Sequence, residues 1–496
     1  MSSPVLIGVD VGTQSVKAGA FDLDGTCRAE AAVPLALHRS SADQVEQVPE
    51  DFYRAATSAI ASCAGRLARP GDVAGLAVAG QMAGILGIGG DGQAVTPYDS
   101  WLDSRCRPEV QQVAARLGDR LIELSGCPPM VAHAPKLAWW RHHRPEVYRS
   151  VAKFVVPSAF VAGRLCGLRA EGAYIDHTHL HFSGLADTAA ARWSAELAAG
   201  SGVELGKLPR VVAPTEVVGH LSAGAARDCG LLAGTPVAAG LGDTAAGVLG
   251  AGVVEPGQLL DTAGTASVLG LSTPELRPDF SRTLVQMRGA VPGQWFALAY
   301  LAGGDLLEWL SRVLGGADLS SLVEEAAACP PARLVFVPHL AGRILPSAPT
   351  ARGAWVGLDL SQTRGDLVRS ALESVAFEYA GFLERAAALF PDVALGDVRV
   401  IGGGAGNDLW NRVKASVLGL SYVRLERDNF SCWGAALVAG AAVGALSDLA
   451  GAARASAVEA SRSSPDPSLQ QAYRERLQEY RSVAELLVAR SEEVLV

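Results

Sequence analysis

Asp243 stands in Gly240-Leu241-Gly242-Asp243-Thr244-Ala245-Ala246-Gly247, where the strand-like run Pro236-Val237-Ala238-Ala239 gives way to an apolar helix. The N–H dipoles of a helix N-terminus favour an ionised carboxylate. Such a group stays charged at neutral pH and can accept the proton of a hydroxyl. Two other readings compete for the same residues. Asp is a common helix cap. Gly240, Gly242 and Ala245 also match the dinucleotide fingerprint G-x-G-x-x-A, with Asp261 at about the expected 20 residues further on. A pyrophosphate in that loop would meet Asp243, however, and two anions there have little dielectric relief. The general-base reading is therefore preferred.

Two turns have the composition of phosphate cradles. In Asp10-Val11-Gly12-Thr13-Gln14, small residues expose backbone N–H groups to phosphate oxygens. Asp10, at the strand end, suits Mg²⁺, a hard cation that takes carboxylate and phosphate oxygens. Ala263-Gly264-Thr265-Ala266-Ser267 repeats the pattern. Each alone reads equally well as an ordinary hairpin turn. A polyphosphate held between two lobes needs one donor loop from each. Ile401-Gly402-Gly403-Gly404-Ala405-Gly406-Asn407 places glycines between a strand and a helix, where a flat group such as adenosine can approach the backbone. No G-x-x-x-x-G-K-[ST] motif occurs, which argues against a P-loop kinase.

A third group of residues suits a polyhydroxylated ligand. Gln81 and Met82 follow an apolar strand, and Trp101, Asp103 and Arg105 follow another short apolar stretch. Gln, Asp and Arg bond hydroxyls, and Trp covers a sugar face. A surface Trp with a local Asp–Arg pair is the plainer alternative. His177, His179 and His181 alternate, so a strand would set all three on one partly exposed face. They lack a carboxylate or thiolate partner at a telling spacing for a metal, and Asp176 is the better cleft candidate.

The elements that must position these groups form two similar halves. Val5 to Phe21 reads as a hairpin, followed by a helix from about Pro49 and a buried strand over Val73 to Ala79. Leu259 to Leu269 is again strand, turn, strand. A long helix from Gly365 to about Leu389, a strand at Val398 to Ile401 and a helix from near Asn407 follow. This order predicts an α/β protein. The halves meet near residues 250–257, giving segments 1–254, 255–450 and a charged helical extension over 451–496.

Composition narrows the function further. The chain has 496 residues, 49% of them hydrophobic, and 42 Lys+Arg against 51 Asp+Glu give a net charge of −9. That excludes wholesale disorder and argues against nucleic-acid binding, which needs a basic face. The longest apolar run, Cys432 to Leu446, is shorter than the roughly 20 residues of a bilayer span and reads as a helix buried in protein. The eight cysteines are scattered without a CxxC pair, and the N-terminus has no basic region or cleavage signal. A reducing cytoplasm is expected, with no membrane association.

Together the motifs resemble the FGGY carbohydrate kinases, within the actin/hexokinase/Hsp70 superfamily, and most of all the xylulokinase branch. The matching pieces are Gly8-Val9-Asp10-Val11-Gly12-Thr13, Glu46-Gln47-Val48-Pro49-Glu50, Ala79-Gly80-Gln81-Met82 and Trp101-Leu102-Asp103-Ser104-Arg105. Ala134-Pro135-Lys136-Leu137, Gly242 to Gly247, Gly264-Thr265 and Gly402-Gly403-Gly404 complete them in family order. The resemblance implies two ribonuclease-H-like, actin-like ATPase lobes flanking a cleft. It implies ATP and Mg²⁺ and transfer of the γ-phosphoryl group to a sugar or polyol hydroxyl. Asp243 falls at the base position, Met82 and Ala83 at the sugar-contact dipeptide. Thr244, Gln81, Trp101, Asp103, Arg105 and Asp176 are the other expected sugar-side residues. Asp10 is expected at the metal. Gly12, Thr13 and Gln14, then Gly264 and Thr265, and then Gly403, Gly404 and Asn407 are expected at the nucleotide. Homodimers are frequent in that family.

Some positions depart from the pattern. Xylulokinases usually carry His after Gln-Met, and here Ala83 removes a side chain able to bond a sugar oxygen. The usual Gly-Glu-Arg-Thr/Ser-Pro loop reads Gly342-Arg343-Ile344-Leu345-Pro346, Gln44 replaces a Trp, and Thr-Ala-Pro-Lys reads His133-Ala134-Pro135-Lys136. These changes leave phosphoryl transfer intact and open the sugar to other ketoses, ribulose or a hexulose, or to polyols such as erythritol and glycerol. Two rival functions are an ATPase switch of the same superfamily and, more distantly, a dinucleotide-dependent oxidoreductase. The switch would need an appended client-binding or filament-binding segment, and none is evident.

Overall fold

The computed structural model describes residues 4–263, 267–301 and 306–494. Two mixed sheets repeat one plan. In the first, Val5–Val11, Ser15–Phe21 and Cys27–Pro34 form an antiparallel meander. Val73–Gly80 joins parallel to Val5–Val11, and Pro236–Gly242 joins parallel to Val73–Gly80. In the second, Leu259–Ala263, Ser267–Thr273 and Trp295–Leu301 form the meander. Val398–Ile401 and Tyr422–Leu425 supply its parallel pair. Val217–His220 and Glu459–Ser463 close the two far edges antiparallel. Three antiparallel strands followed by a parallel pair is the ribonuclease-H-like topology, present here twice.

Local sequence explains most of these elements. Val5, Leu6, Ile7, Val9 and Val11 are all buried, as expected of a central strand covered on both faces. Pro49–Ala64 starts with Pro in its first turn and Glu50 and Asp51 beside it. Arg364–Leu389 starts at a reciprocal capping box between Thr363 and Asp366.

The helix Phe430–Ala442 is buried, as its composition suggests, but it packs against the first sheet. A Cβ on Gly8 would stand 1.7 Å from the Cys432 carbonyl oxygen. One on Gly434 would stand 2.0 Å from the Ala246 carbonyl oxygen, so this helix crosses Asp243–Gly250 backbone to backbone. Leu6, Ala77, Ala246, Trp433 and Leu437 share a core with Leu260 and Ile401 of the second sheet. The crossed helices are thus the waist of the molecule.

The histidine triplet is not a strand. Residues His177–Ser183 form a 3₁₀ helix, because the Asp176 carboxylate caps the Thr178 N–H and turns the chain. Nor is the face partly exposed throughout, since His179 and His181 are fully buried. The C-terminal helix Gln470–Val494 is tied to Arg364–Leu389, with Arg369 Nη2 donating to the Tyr473 hydroxyl at 2.7 Å. All eight cysteines are free. No helix among the described residues is long and apolar enough to cross a membrane.

Candidate active site

Register brings the first set of candidates to one end of one sheet. Asp10 lies opposite Ala79, and Gly80 lies opposite both Val11 and Gly242. Asp10, Gln81 and Asp243 therefore emerge at the C-terminal ends of three adjacent parallel strands, where ligands of α/β sheets collect. Asp243 opens the helix Asp243–Gly250 at the waist. Its Oδ1 accepts from the Thr244 N–H at 2.6 Å and from the Thr244 hydroxyl at 3.2 Å.

Burial dominates the electrostatics here. It pushes Asp243 above the ordinary carboxylate range, against the Thr244 hydrogen bonds and the nearby His179. The helix N-terminus does not hold this carboxyl low, as its position in the sequence suggests, because desolvation outweighs the dipole. Its proton affinity is the higher for it. Asp10 is pushed up to about 7, first by burial and then by the Asp243 charge, with Lys17 opposing. Asp10 Oδ1 is buried and accepts no hydrogen bond among the described residues. An unpaired carboxylate oxygen of this kind fits a hard cation. Among the described residues no group of three or more His, Cys, Asp or Glu side chains forms a metal cage. Mg²⁺ carried by phosphates needs only one or two protein carboxylates.

The first turn is held by side chains from three other segments. Trp101 Nε1 donates to Thr13 Oγ1 at 2.9 Å, and Thr13 Oγ1 donates to Gln81 Oε1 at 3.2 Å. Gln81 Nε2 donates to Gln47 Oε1 at 2.9 Å and to the Gly12 carbonyl at 3.4 Å. Gln47 Nε2 closes the loop on the Thr13 carbonyl at 2.9 Å. Both ends of the Gln81 amide are committed to the turn. Gln14 beside it is exposed.

Met82 lies over Gly242, where a Cβ would come within 2.5 Å of its sulfur. Ala83 has φ of 60°, the left-handed region, so its methyl group is held in a conformation that favours glycine. Asp103 and Arg105 belong to a buried ionic knot. Arg105 reaches Glu46 and Asp99, each at 2.6 Å, and Asp103 at 3.0 Å, with its guanidinium over the Trp139 ring. Asp103 Oδ2 also takes the Val45 N–H at 2.8 Å. Asp176 commits both oxygens, one to Thr178 and one to His179.

On the second sheet, Thr262 pairs with Ile401, so the strand leading to the second turn ends beside Gly402. Gly264 and Thr265 themselves lie outside the described residues. A Cβ on Gly404 would stand 2.9 Å from that of Ala263, whereas Gly403 and Gly406 face open space. Asn407 caps Asp408–Leu418 by accepting the Trp410 N–H at 3.0 Å. The helix Asp243–Gly250 links the two sets, because Gly247 packs against Ile401.

The dinucleotide alternative fails on geometry. Gly240 has φ of 79° and presses on the Val78 carbonyl, and Asp261 is buried against Lys414 and Tyr379. Three polar groups near Asp243 were not legible as site residues. The Tyr98 and Tyr300 hydroxyls and His179 Nε2 are buried without partners among the described residues. The Asp243 charge reaches both tyrosines, and His179 acts on Asp243. Nothing in the local sequence singles out either tyrosine, and the histidine was visible only as part of an alternating triplet.

Known proteins match this arrangement along nearly the whole chain. The N-terminal domain of the FGGY family of carbohydrate kinases matches residues 5–250, and the C-terminal domain of that family matches residues 260–443. The xylulose kinase of Bacillus subtilis is 27% identical over 448 residues, covering 88% of this chain and 87% of that protein. The autoinducer-2 kinase of Yersinia enterocolitica is 28% identical, covering 89% of this chain and 87% of that protein. The crystal structure of xylulose kinase from Rhodospirillum rubrum has a TM-score of 0.88 at 26% identity, covering 98% of this chain and all of that one. This chain belongs to the FGGY family of carbohydrate kinases.

Proposed function

We propose that this kinase transfers the γ-phosphoryl group of ATP to a ketopentose, with D-xylulose to D-xylulose 5-phosphate as the leading reaction. The observation that carries the reading is the pair Asp10 and Asp243, set at the ends of the two strands that flank Val73–Gly80, beside a turn braced by Gln81 and Trp101. Names of relatives at 26–27% identity support the pentulose. The first lobe then takes the sugar and the second the adenosine, along Gly403, Gly404 and Asn407.

In this mechanism the attacking hydroxyl points at Asp243. As its oxygen bonds to the γ-phosphorus, the bond from phosphorus to the bridging oxygen of ADP breaks, and Asp243 takes the hydroxyl proton. The transition state is loose, so positioning and charge outweigh base strength. Gly12 and Thr13 hold phosphate oxygens, and closure of the lobes excludes water. Mg²⁺ held by Asp10 would neutralise charge on the phosphates. The free thiols suit a reducing cytoplasm.

Ala83 favours a second reading within the same chemistry, in which another ketose or a polyol is the acceptor. A coupled assay of ADP release against ketopentoses, ketohexoses and polyols tests both. Highest kcat/KM on D-xylulose supports the leading reaction, and highest kcat/KM on another acceptor replaces it with the second reading. Hydrolysis of ATP that no acceptor stimulates would refute both in favour of an ATPase switch.

A further inference from the structure

The mechanism leaves a fully buried imidazole unused. His179 Nδ1 lies 2.6 Å from Asp176 Oδ2, and its Nε2 has no partner among the described residues. The other oxygen of Asp176 accepts the Thr178 N–H at 2.9 Å and the Thr178 hydroxyl. His179 and Thr178 together hold the Asp176 carboxyl below its ordinary range despite its burial. An ionised Asp176 can only accept, so Nδ1 carries a hydrogen and Nε2 is the ring nitrogen left for another partner. A buried ring nitrogen without a partner is costly, which points to a hydroxyl that arrives with a ligand.

Thr178 fixes where that nitrogen lies. Its hydroxyl oxygen accepts the Gly242 N–H at 2.9 Å, so the turn bearing His179 is bonded to the residue before Asp243. Met82 covers the same glycine, and Ala83 follows it with only a methyl group. Two neighbouring histidines are placed differently. His133 bonds the Gly84 backbone, and His181 lines a separate small cavity with Cys127, Pro128 and Met130. Neither has a carboxylate to orient it.

We propose that His179 Nε2 forms a hydrogen bond with the sugar hydroxyl next to the one that is phosphorylated, with Asp176 as the residue that positions the ring. The proposal rests on the sugar-kinase reading above. For a ketopentose phosphorylated on the C5 oxygen, that neighbour is the C4 hydroxyl. Polar recognition that position 83 cannot supply is thereby transferred to position 179.

D-Xylulose and L-ribulose share C3 configuration and differ at C4, so their kcat/KM ratio isolates this contact. His179→Asn leaves an amide for Asp176 and removes the atom at the Nε2 position. His179→Gln carries a polar group towards it. The wild type should prefer one epimer. His179→Asn should shrink that preference about tenfold, the scale of one hydrogen bond, mainly through the KM of the sugar. Its KM for ATP and its melting temperature should hold, and His179→Gln should restore part of the preference. A folded His179→Asn with the wild-type ratio, or one that loses both epimers equally, overturns the proposal. So does a wild type indifferent to C4, whatever the variants do. A wild type that phosphorylates no sugar refutes the kinase reading instead.

Discussion

Burial sets the proton affinity of both carboxylates at the strand ends. Asp243→Asn keeps the shape and the Thr244 N–H bond but cannot take a proton. Its kcat should fall by about 10²–10⁴-fold, the range for a general base, while the KM for ATP stays within about twofold. Steady-state ADP release at saturating sugar measures both. Asp10 makes a prediction about pH. Its carboxyl is pushed up from 3.8 to about 7 on folding. Below the unfolded value both states hold the proton, and the group costs no stability. Between 3.8 and about 7 only the unfolded chain gives up the proton, so stability falls across that window and levels off once the folded carboxyl ionises too. Asp10→Asn should therefore melt higher than wild type at pH 8, with the gain vanishing towards pH 4, yet be nearly inactive. Thermal denaturation across that pH range checks the sign. These two aspartates were legible because each follows an apolar run and sits beside small residues. The bonding of Gln81 to the turn is not legible in the same way. Sequence reads it as a sugar ligand, but its partners Gln47 and Thr13 lie 34 and 68 residues away.

Elements whose signals are local are legible in the sequence. The hairpins, the proline-led helix at Pro49 and the glycine-ended strand at Val398–Ile401 depend on neighbours a few residues apart. The triplet at His177 was read as a strand because alternation is also a local signal, and the Asp176 cap that overrides it was not visible. The partner of Phe430–Ala442 depends on Gly8, more than 400 residues earlier, and no local pattern encodes that. The strand leading to the second turn is anchored the same way. Lys414 pairs with Asp261 in full burial, and the Tyr379 hydroxyl donates to Asp261 Oδ1 at 2.9 Å. Breaking a buried pair from one side leaves an uncompensated charge and costs about 3–5 kcal/mol. Lys414→Met should lower the urea midpoint accordingly. Adding Asp261→Asn should recover at least half of the loss, because the remaining amide can still bond Tyr379. A double variant no better than Lys414→Met would mean that Lys414 acts through packing on Trp410 and Tyr422 rather than through charge.

Two of the junctions between the halves differ in composition. At the waist, glycines bring two helices into backbone contact over an apolar core. Such an interface does not reopen without exposing that core. The second junction adds hydrogen bonds to apolar contact, with Cys127 and Phe182 in one core with Val285 and Met287 and the Phe182 ring 5.8 Å from that of Tyr300. The Gln286 N–H donates to the Gly126 carbonyl at 2.7 Å, and His177 Nε2 lies 3.1 Å from the Gly289 carbonyl. Arg288 Nη1 donates to the Ala189 carbonyl at 2.7 Å while its guanidinium lies over the Trp295 ring. Each of these bonds can exchange for water at small net cost, about 1 kcal/mol. The expected pivot is then the waist, and this junction, with its exchangeable hydrogen bonds, is the part expected to open. Arg288→Ala removes one link from the closed arrangement only, so it should shift the population towards open. The KM for sugar should rise about fivefold, the equivalent of one hydrogen bond, with kcat within about twofold because no reacting group is touched. Small-angle scattering of the unliganded variant should give a larger radius of gyration than wild type, and saturating ATP with sugar should remove the difference. An unchanged KM together with an unchanged radius would place the moving contact elsewhere and leave this junction as fixed as the waist.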